Sequence, residues 1–98
     1  MNVSIQSLHF DASDYLVEFT HKKVAKLSQH LETGISVEVV MRVVKSDERS
    51  NKEVSIKYAL PDSELFASKQ TDTFEESVAL CVDALLKQIE RYKEKKVS

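Results

Sequence analysis

The stretch from Ile35 to Leu60, ISVEVVMRVVKSDERSNKEVSIKYAL, decides the fold. Its odd-numbered residues up to Val43 are all apolar, while the even-numbered ones include serine, glutamate and arginine, as in a strand with one face on a core. After the polar segment 46–52 the alternation returns, now with apolar residues at the even positions from Val54 onward. The two runs predict a β-hairpin with a longer loop, and the first of them predicts a central strand.

Two further strands are predicted on either side of this hairpin in the chain. Residues 1–10 alternate apolar and polar side chains until the parity slips, which predicts a first strand with a bulge near Gln6 or Ser7. After the hairpin, the segment 61–63 (PDS) supplies a turn. Residues 65–69 then predict a short edge strand.

A first helix is predicted between the first strand and the hairpin. The segment 11–14 (DASD) carries short oxygen-bearing side chains, which can accept hydrogen bonds from the free N–H groups of a helix start. Apolar residues then recur at helical spacing, namely Leu16, Phe19, Val24 beside Lys23, Leu27 and Leu31. Gly34, the sole glycine, stands where a left-handed C-terminal cap is expected.

The last third of the chain predicts one long helix. Asp72, with Glu75 three residues later, resembles a capping box in which aspartate replaces serine or threonine. An apolar stripe of about five turns follows, formed by Phe74, Val78, Cys81 or Val82, Leu85, Ile89 and Tyr92. Cys81 is the only cysteine, so the sequence predicts a buried packing residue and no intramolecular disulfide.

The fold class follows from the order of these elements. Strand, helix, three strands and helix predict an α+β fold, β-α-β-β-β-α, with two roughly parallel helices packed on one face of a four-stranded sheet. With 98 residues there is room for one core, so we expect a single domain over residues 1–98.

Composition narrows the class of function. With 42% hydrophobic and 31% charged residues, the chain has the balance of a soluble globule. It shows neither a signal peptide nor about 18 consecutive apolar residues, so we expect a cytoplasmic protein without a membrane partner. One glycine cannot form a phosphate-binding loop, and His21 and His30 are too far apart for ligands on one helical face. We therefore expect no enzyme, metal, cofactor or small-molecule substrate.

The net charge of −2 conceals an uneven distribution. Residues 84–98 hold five cations against two acids, a net of +3, whereas residues 1–83 hold nine against fourteen, a net of −5. Cations recur at a spacing of four in both predicted helices, at Lys22 and Lys26 with Lys23 beside them, and at Lys87, Arg91 and Lys95. Two parallel ridges of cations would bind phosphates. Solvated helix faces explain the same spacing, because Glu18 and Asp83 stand four residues before Lys22 and Lys87.

Three features resemble those of a known family: the element order, the segment 24–27 (VAKL), and above all Asp72-Thr73-Phe74 leading into residues 82–93 (VDALLKQIERYK). The family that they resemble is the ribosome hibernation-promoting factor family. This family is also called protein Y or the sigma factor modulation family, and the resemblance covers essentially the whole chain. It implies a bacterial stationary-phase, stress-response protein that regulates translation without chemistry. Such a protein binds ribosomal RNA of the small ribosomal subunit, where messenger and transfer RNA would lie. The fold is also similar to that of double-stranded RNA-binding domains.

The resemblance further implies which residues bind ribosomal RNA. They are the basic residues of both helices, Lys22, Lys23, Lys26, Lys87, Arg91, Lys93 and Lys95. Ala84 and Glu90 stand where typical members carry further cations, so lower affinity or greater salt sensitivity is expected. The chain resembles the short form of the family, which favours ribosome dimers together with a separate partner protein.

A second hypothesis stays open at this stage. The acidic composition of residues 1–83 also suits a protein–protein regulatory module for transcription factor modulation, or a family member with a weakened ribosome site. Composition and spacing do not decide between the two.

Overall fold

The computed structural model describes residues 1–45 and 49–97, which form six elements: β1 (Asn2–Leu8), α1 (Asp14–His30), β2 (Ser36–Val43), β3 (Lys52–Ala59), β4 (Glu64–Thr71) and α2 (Phe74–Val97). The strands form one sheet in the order β1-β2-β3-β4, with β1 parallel to β2 and the other neighbours antiparallel. The predicted α+β order, the central position of β2 and the edge position of β4 are confirmed.

One face of the sheet carries the core. The strand register places buried pairs side by side on this face, Val37 with Tyr58, Val39 with Ile56 and Met41 with Val54. α2 packs on β3, on β4 and on α1, and it buries Phe74, Val78, Cys81, Val82, Leu85 and Ile89 of the predicted stripe. Tyr92, the last residue of that stripe, is half-buried, and Ser77, outside it, is buried as well. Within residues 1–45 and 49–97 no helix covers the other face of the sheet, and there the strands place mostly polar side chains.

The two helices start side by side and run in the same direction. β1, β2 and β4 point the same way, and each helix returns across the sheet from the end of β1 or β4. Phe10 and Phe74, at the two helix starts, stack with ring centroids 4.4 Å apart. Ser13, from the predicted cluster, caps α1 because its hydroxyl accepts the N–H of Leu16 at 3.1 Å.

The bulge predicted in the first strand is wrong. β1 pairs with β2 in unbroken register from Asn2 to Leu8, without an extra residue at Gln6 or Ser7. The slip in parity has another cause, since the strand ends at Leu8 and His9 adopts a left-handed conformation with φ of 70°. That turn redirects the chain before α1.

The left-handed cap predicted at Gly34 is also wrong. α1 ends at His30, and Leu31 closes it in an extended conformation, with its N–H donated to the carbonyl of Leu27 at 2.9 Å. Gly34 has no positive φ. It is required for space, because a Cβ there would overlap the ring of Tyr58. The Tyr58 hydroxyl in turn donates to the Leu31 carbonyl at 2.5 Å, which holds the ring against the glycine.

The cap of α2 lies one residue later than predicted. The Thr73 hydroxyl accepts the N–H of Glu76 at 3.1 Å, so Thr73 is the N-cap in place of Asp72. The predicted reciprocal bond from a glutamate is replaced, because the N–H of Thr73 is donated to the hydroxyl of Thr71 at 3.3 Å. Asp72 is engaged elsewhere, since its carboxylate accepts the hydroxyl of Ser50 at 2.6 Å. Its side chain therefore ties the end of the β2–β3 connection to the start of α2.

Candidate nucleic-acid interface

Within residues 1–45 and 49–97, no three histidine, cysteine, aspartate or glutamate side chains come together as a metal site requires. Cys81 is buried, as predicted, and its Sγ donates to the Val54 carbonyl at 3.3 Å. Burial raises the pKa of the Cys81 thiol to about 11, so the nucleophilic thiolate is scarce at neutral pH. None of the helices in the described ranges is long and apolar enough to cross a membrane.

The cations predicted as the binding site lie on the surface. Six of the seven are exposed, namely Lys22, Lys26, Lys87, Arg91, Lys93 and Lys95. Lys23 is half-buried because its ammonium group lies 5.5 Å from the ring centroid of Phe19, a cation–π contact. The charges of this set therefore face solvent, and one of them is positioned by an aromatic ring.

The spacing of four between cations could also reflect ion pairs that stabilise each helix, but those pairs do not form in the described part of the chain. In the part of the chain that the structure describes, Lys22 and Lys87 have no carboxylate within 4.0 Å, so neither pairs with Glu18 or Asp83. No paired carboxylate among the described residues therefore offsets these two positive charges at the surface.

α2 and β4 border two shallow grooves of about 400 Å³ each, which share Gln88 and Arg91. We call them together the α2–β4 groove; its charged lining residues are Glu64, Lys69, Asp83, Lys87, Arg91 and Lys95. The three α2 cations predicted at a spacing of four thus share one flank of the helix. Neither half of the groove includes a residue of α1.

Lys69 of β4 also lines this groove, although it is not among the predicted cations. The register pairs it with Val54, so it stands on the face of the sheet that carries the helices. It nevertheless stays exposed, because β4 is the edge strand. The sequence contains a signal for this position, because Lys69 continues the alternation of Leu65 and Ala67 on the apolar side of β4.

Gln88 fixes α2 against the sheet edge. Its side-chain amide donates to the carbonyl of Phe66 at 2.7 Å and accepts the N–H of Phe66 at 3.3 Å. The side chain thus occupies both backbone groups that β4 would offer to a further strand at this point. This contact joins the two halves of the α2–β4 groove and holds its cations beside β4.

The remaining predicted cations lie elsewhere. Lys93 is two residues from both Arg91 and Lys95, which turns it about 200° around the helix and away from the groove. Lys22, Lys23 and Lys26 are on α1, which packs on α2 from the side away from β4. Of the predicted cations, Lys87, Arg91 and Lys95 thus line the α2–β4 groove, whereas Lys93 and the cations of α1 lie outside it.

Comparisons of the sequence identify relatives over almost the whole chain. The family model described as sigma 54 modulation protein / S30EA ribosomal protein matches residues 3–97. A ribosome hibernation promoting factor of Azotobacter vinelandii is 25% identical over 97 residues, which cover 99% of this chain and 87% of that protein. The factor of the same name from Pseudomonas putida is 24% identical over 98 residues, which cover 100% of this chain and 92% of that protein.

Two solved structures share the fold. A ribosomal subunit interface protein from Coxiella burnetii has a TM-score of 0.84 at 22% identity, over 96% of this chain and 99% of that one. The N-terminal domain of Protein Y from Thermus thermophilus has a TM-score of 0.79 at 18% identity, over 94% and 99% of the two chains. Because the family model spans nearly every residue, this chain belongs to the sigma 54 modulation protein / S30EA ribosomal protein family.

Proposed function

We propose that this protein is a ribosome-associated translation inhibitor, a hibernation factor that binds small-subunit ribosomal RNA in the channel for messenger and transfer RNA. Its family consists of non-enzymatic ribosome-binding proteins, and two of its relatives are named ribosome hibernation promoting factors. The observation that carries the proposal is the shared flank of Lys87, Arg91 and Lys95 in the α2–β4 groove. Inhibition then requires only that the protein occupy the channel.

Contacts to phosphates make such binding depend on salt. If each of the seven predicted cations meets one phosphate, the logarithm of the association constant falls against the logarithm of salt concentration with a slope of about −5. Ala84 lines the groove beside Lys87 and Arg91, so the cation that typical members carry there is missing from the groove itself. Glu90 lies outside both halves of the groove. We therefore expect binding that weakens steeply at moderate salt.

Co-sedimentation with isolated small subunits at low and moderate salt tests the proposal. Lys87→Glu combined with Arg91→Glu should abolish pelleting and leave the circular dichroism spectrum unchanged. A milder pair, Lys87→Ala with Arg91→Ala, should reduce the salt slope by roughly 1.4. The matched control is Arg42→Ala with Lys57→Ala, which loses the same two charges from the uncovered face of the sheet. If the unaltered protein pellets at neither salt concentration, the proposal is wrong.

A protein–protein regulatory module is the second candidate, and one observation favours it. Phe66 is 56% exposed on the uncovered face of the sheet, beside Val40 and the ion pair of Glu38 with Lys57 at 2.9 Å. A pull-down from lysate separates the two functions. Ribosomal RNA and ribosomal proteins should dominate the eluate if the protein is a hibernation factor and should be absent if it is a regulatory module.

Ribosome dimerisation is a further part of the proposed function. We propose that this chain favours ribosome dimers together with a separate partner protein. Sucrose-gradient profiles of ribosomes with this protein, with lysate fractions and with both would reveal the requirement. Dimers formed by this chain alone would contradict it.

A further inference from the structure

We infer that the α2–β4 groove holds a single phosphodiester strand, with Lys69 on one wall and Lys87 and Arg91 on the other. The inference rests on the proposed function, because the strand would be a single-stranded segment of the bound ribosomal RNA. It adds a residue of the sheet to a site otherwise composed of helix cations. It also assigns the α2–β4 flank, rather than the space between the helices, to the backbone of that strand.

The position of Lys69 is what makes the groove two-sided. Lys69 stands on the helix-bearing face of β4, close enough to Cys81 of α2 for its charge to act on the thiol. Across the described residues, no carboxylate lies within 4.0 Å of its ammonium group. Lys87 and Arg91 project from α2 into the same half of the groove. A phosphate in this half would therefore meet cations from two different elements.

The charge of the groove selects an anionic occupant. Four cations line its two halves, against the carboxylates of Asp83 and Glu64, which gives a local charge of +2 on a chain whose net charge is −2. The two halves share Gln88 and Arg91 as lining residues, and Lys87, Arg91 and Lys95 follow one line along α2 at a spacing of four. A polymer with one charge per unit matches such a line better than a small anion does.

An apolar contact favours a single strand over a duplex. Leu80 is 39% exposed and lines the same half of the groove as Lys69 and Lys87. In an A-form duplex the bases are stacked inside, and a protein meets mainly phosphates and 2′-hydroxyls. A single strand instead presents bases and riboses that can cover an apolar side chain while its phosphates meet the cations.

Removal of Lys69 tests the inference directly. Lys69→Ala should reduce the salt slope of ribosome binding by about 0.7, the value of one single-strand phosphate contact. Lys69→Arg should keep the slope. Lys57→Ala is the matched control, because it removes one lysine of β3 from the opposite face of the sheet. Equal slopes for Lys69→Ala and the unaltered protein would overturn the inference, while continued pelleting would leave the proposed function standing.

Thiol labelling gives a second, independent test. Leu80→Cys places a reactive thiol in the groove, where the buried Cys81 adds no competing signal. Bound ribosomes and poly(U) should each slow its reaction with a maleimide. Ser68→Cys, on the uncovered face of the sheet, should react at the same rate with and without them. Unchanged labelling of position 80 on ribosomes that pellet the protein would refute the groove, and protection by duplex RNA alone would refute the single strand.

Discussion

Alanine at Gly34 should lower the free energy of unfolding by about 3 kcal/mol, the upper part of the usual range for overpacking. The added Cβ would overlap three atoms of the Tyr58 side chain, its hydroxyl oxygen and two ring carbons. That ring cannot move aside at low cost. It is fully buried, and its hydroxyl is bonded to the carbonyl of Leu31 at 2.5 Å.

The sign of this effect should depend on Tyr58. Because Gly34 has no positive φ, its backbone conformation is open to alanine. In a protein that carries Tyr58→Leu, the three overlapping atoms are gone. Gly34→Ala should then be neutral or should stabilise the protein by about 0.5 kcal/mol, since alanine restricts the unfolded chain more than glycine does.

Urea unfolding of the four proteins measures the coupling between the two positions. We expect the cost of Gly34→Ala to be about 3 kcal/mol larger in the unaltered protein than in the Tyr58→Leu background. The free energy of unfolding should depend on urea concentration with the same slope in all four proteins. A loss of about 1 kcal/mol in both backgrounds would mean that the backbone requires glycine, as a left-handed cap would. A negligible loss in the unaltered protein would mean that the ring yields, and would refute the packing argument.

Three further predictions concern local structure. Thr73→Ala should cost about 1 kcal/mol in urea unfolding and Asp72→Ala less, because Thr73 carries the cap. Gln88→Leu should speed amide hydrogen exchange at Phe66, whose N–H the Gln88 side chain accepts. The free energy of unfolding should fall between about pH 9 and 11, where the unfolded chain loses the Cys81 proton and the folded chain keeps it. Cys81→Ala should remove that part of the pH dependence, as pH-dependent urea unfolding would show.

The hairpin could be predicted because its signal is local. Val37, Val39 and Met41 show a period of two, and Val54, Ile56 and Tyr58 repeat it with the opposite parity. A sheet with helices on one face requires this alternation, and pairing between the two strands then aligns the apolar residues. The apolar stripe of α2 was predictable for the same reason, with the helical period in place of the strand period.

The two wrong caps depend on residues far away in the chain. Gly34 looks like a helix cap until the ring of Tyr58, which comes 24 residues later, is placed against it. Asp72 and Thr73 are both good N-cap residues in isolation. In the folded protein the Asp72 carboxylate accepts a hydrogen bond from the hydroxyl of Ser50, which is distant in the sequence, and Thr73 is the residue that caps α2.

The exposure of most of the seven cations follows from the sequence, but their grouping does not. A spacing of four places Lys87, Arg91 and Lys95 on one flank of a helix whatever that helix packs against. Only the packed structure shows that this flank meets β4, and that Lys69 stands there too. A lysine at a strand position that points to the core face must still reach solvent, and this is easiest on an edge strand beside the flank of a helix. Such a lysine is therefore a sequence signal for a charged groove.

The local charge of the α2–β4 groove is compatible with the proposed RNA binding by a chain of negative net charge. At 0.1 M salt the Debye length is about 10 Å, whereas the molecule measures 48 × 22 × 18 Å. A phosphate in the α2–β4 groove is therefore attracted mainly by the local charge of +2, while acids on distant surfaces are screened. Those acids still repel RNA that approaches an acidic surface. Binding should thus depend on orientation, and lower salt should strengthen attraction at the groove and repulsion at the acidic surfaces together.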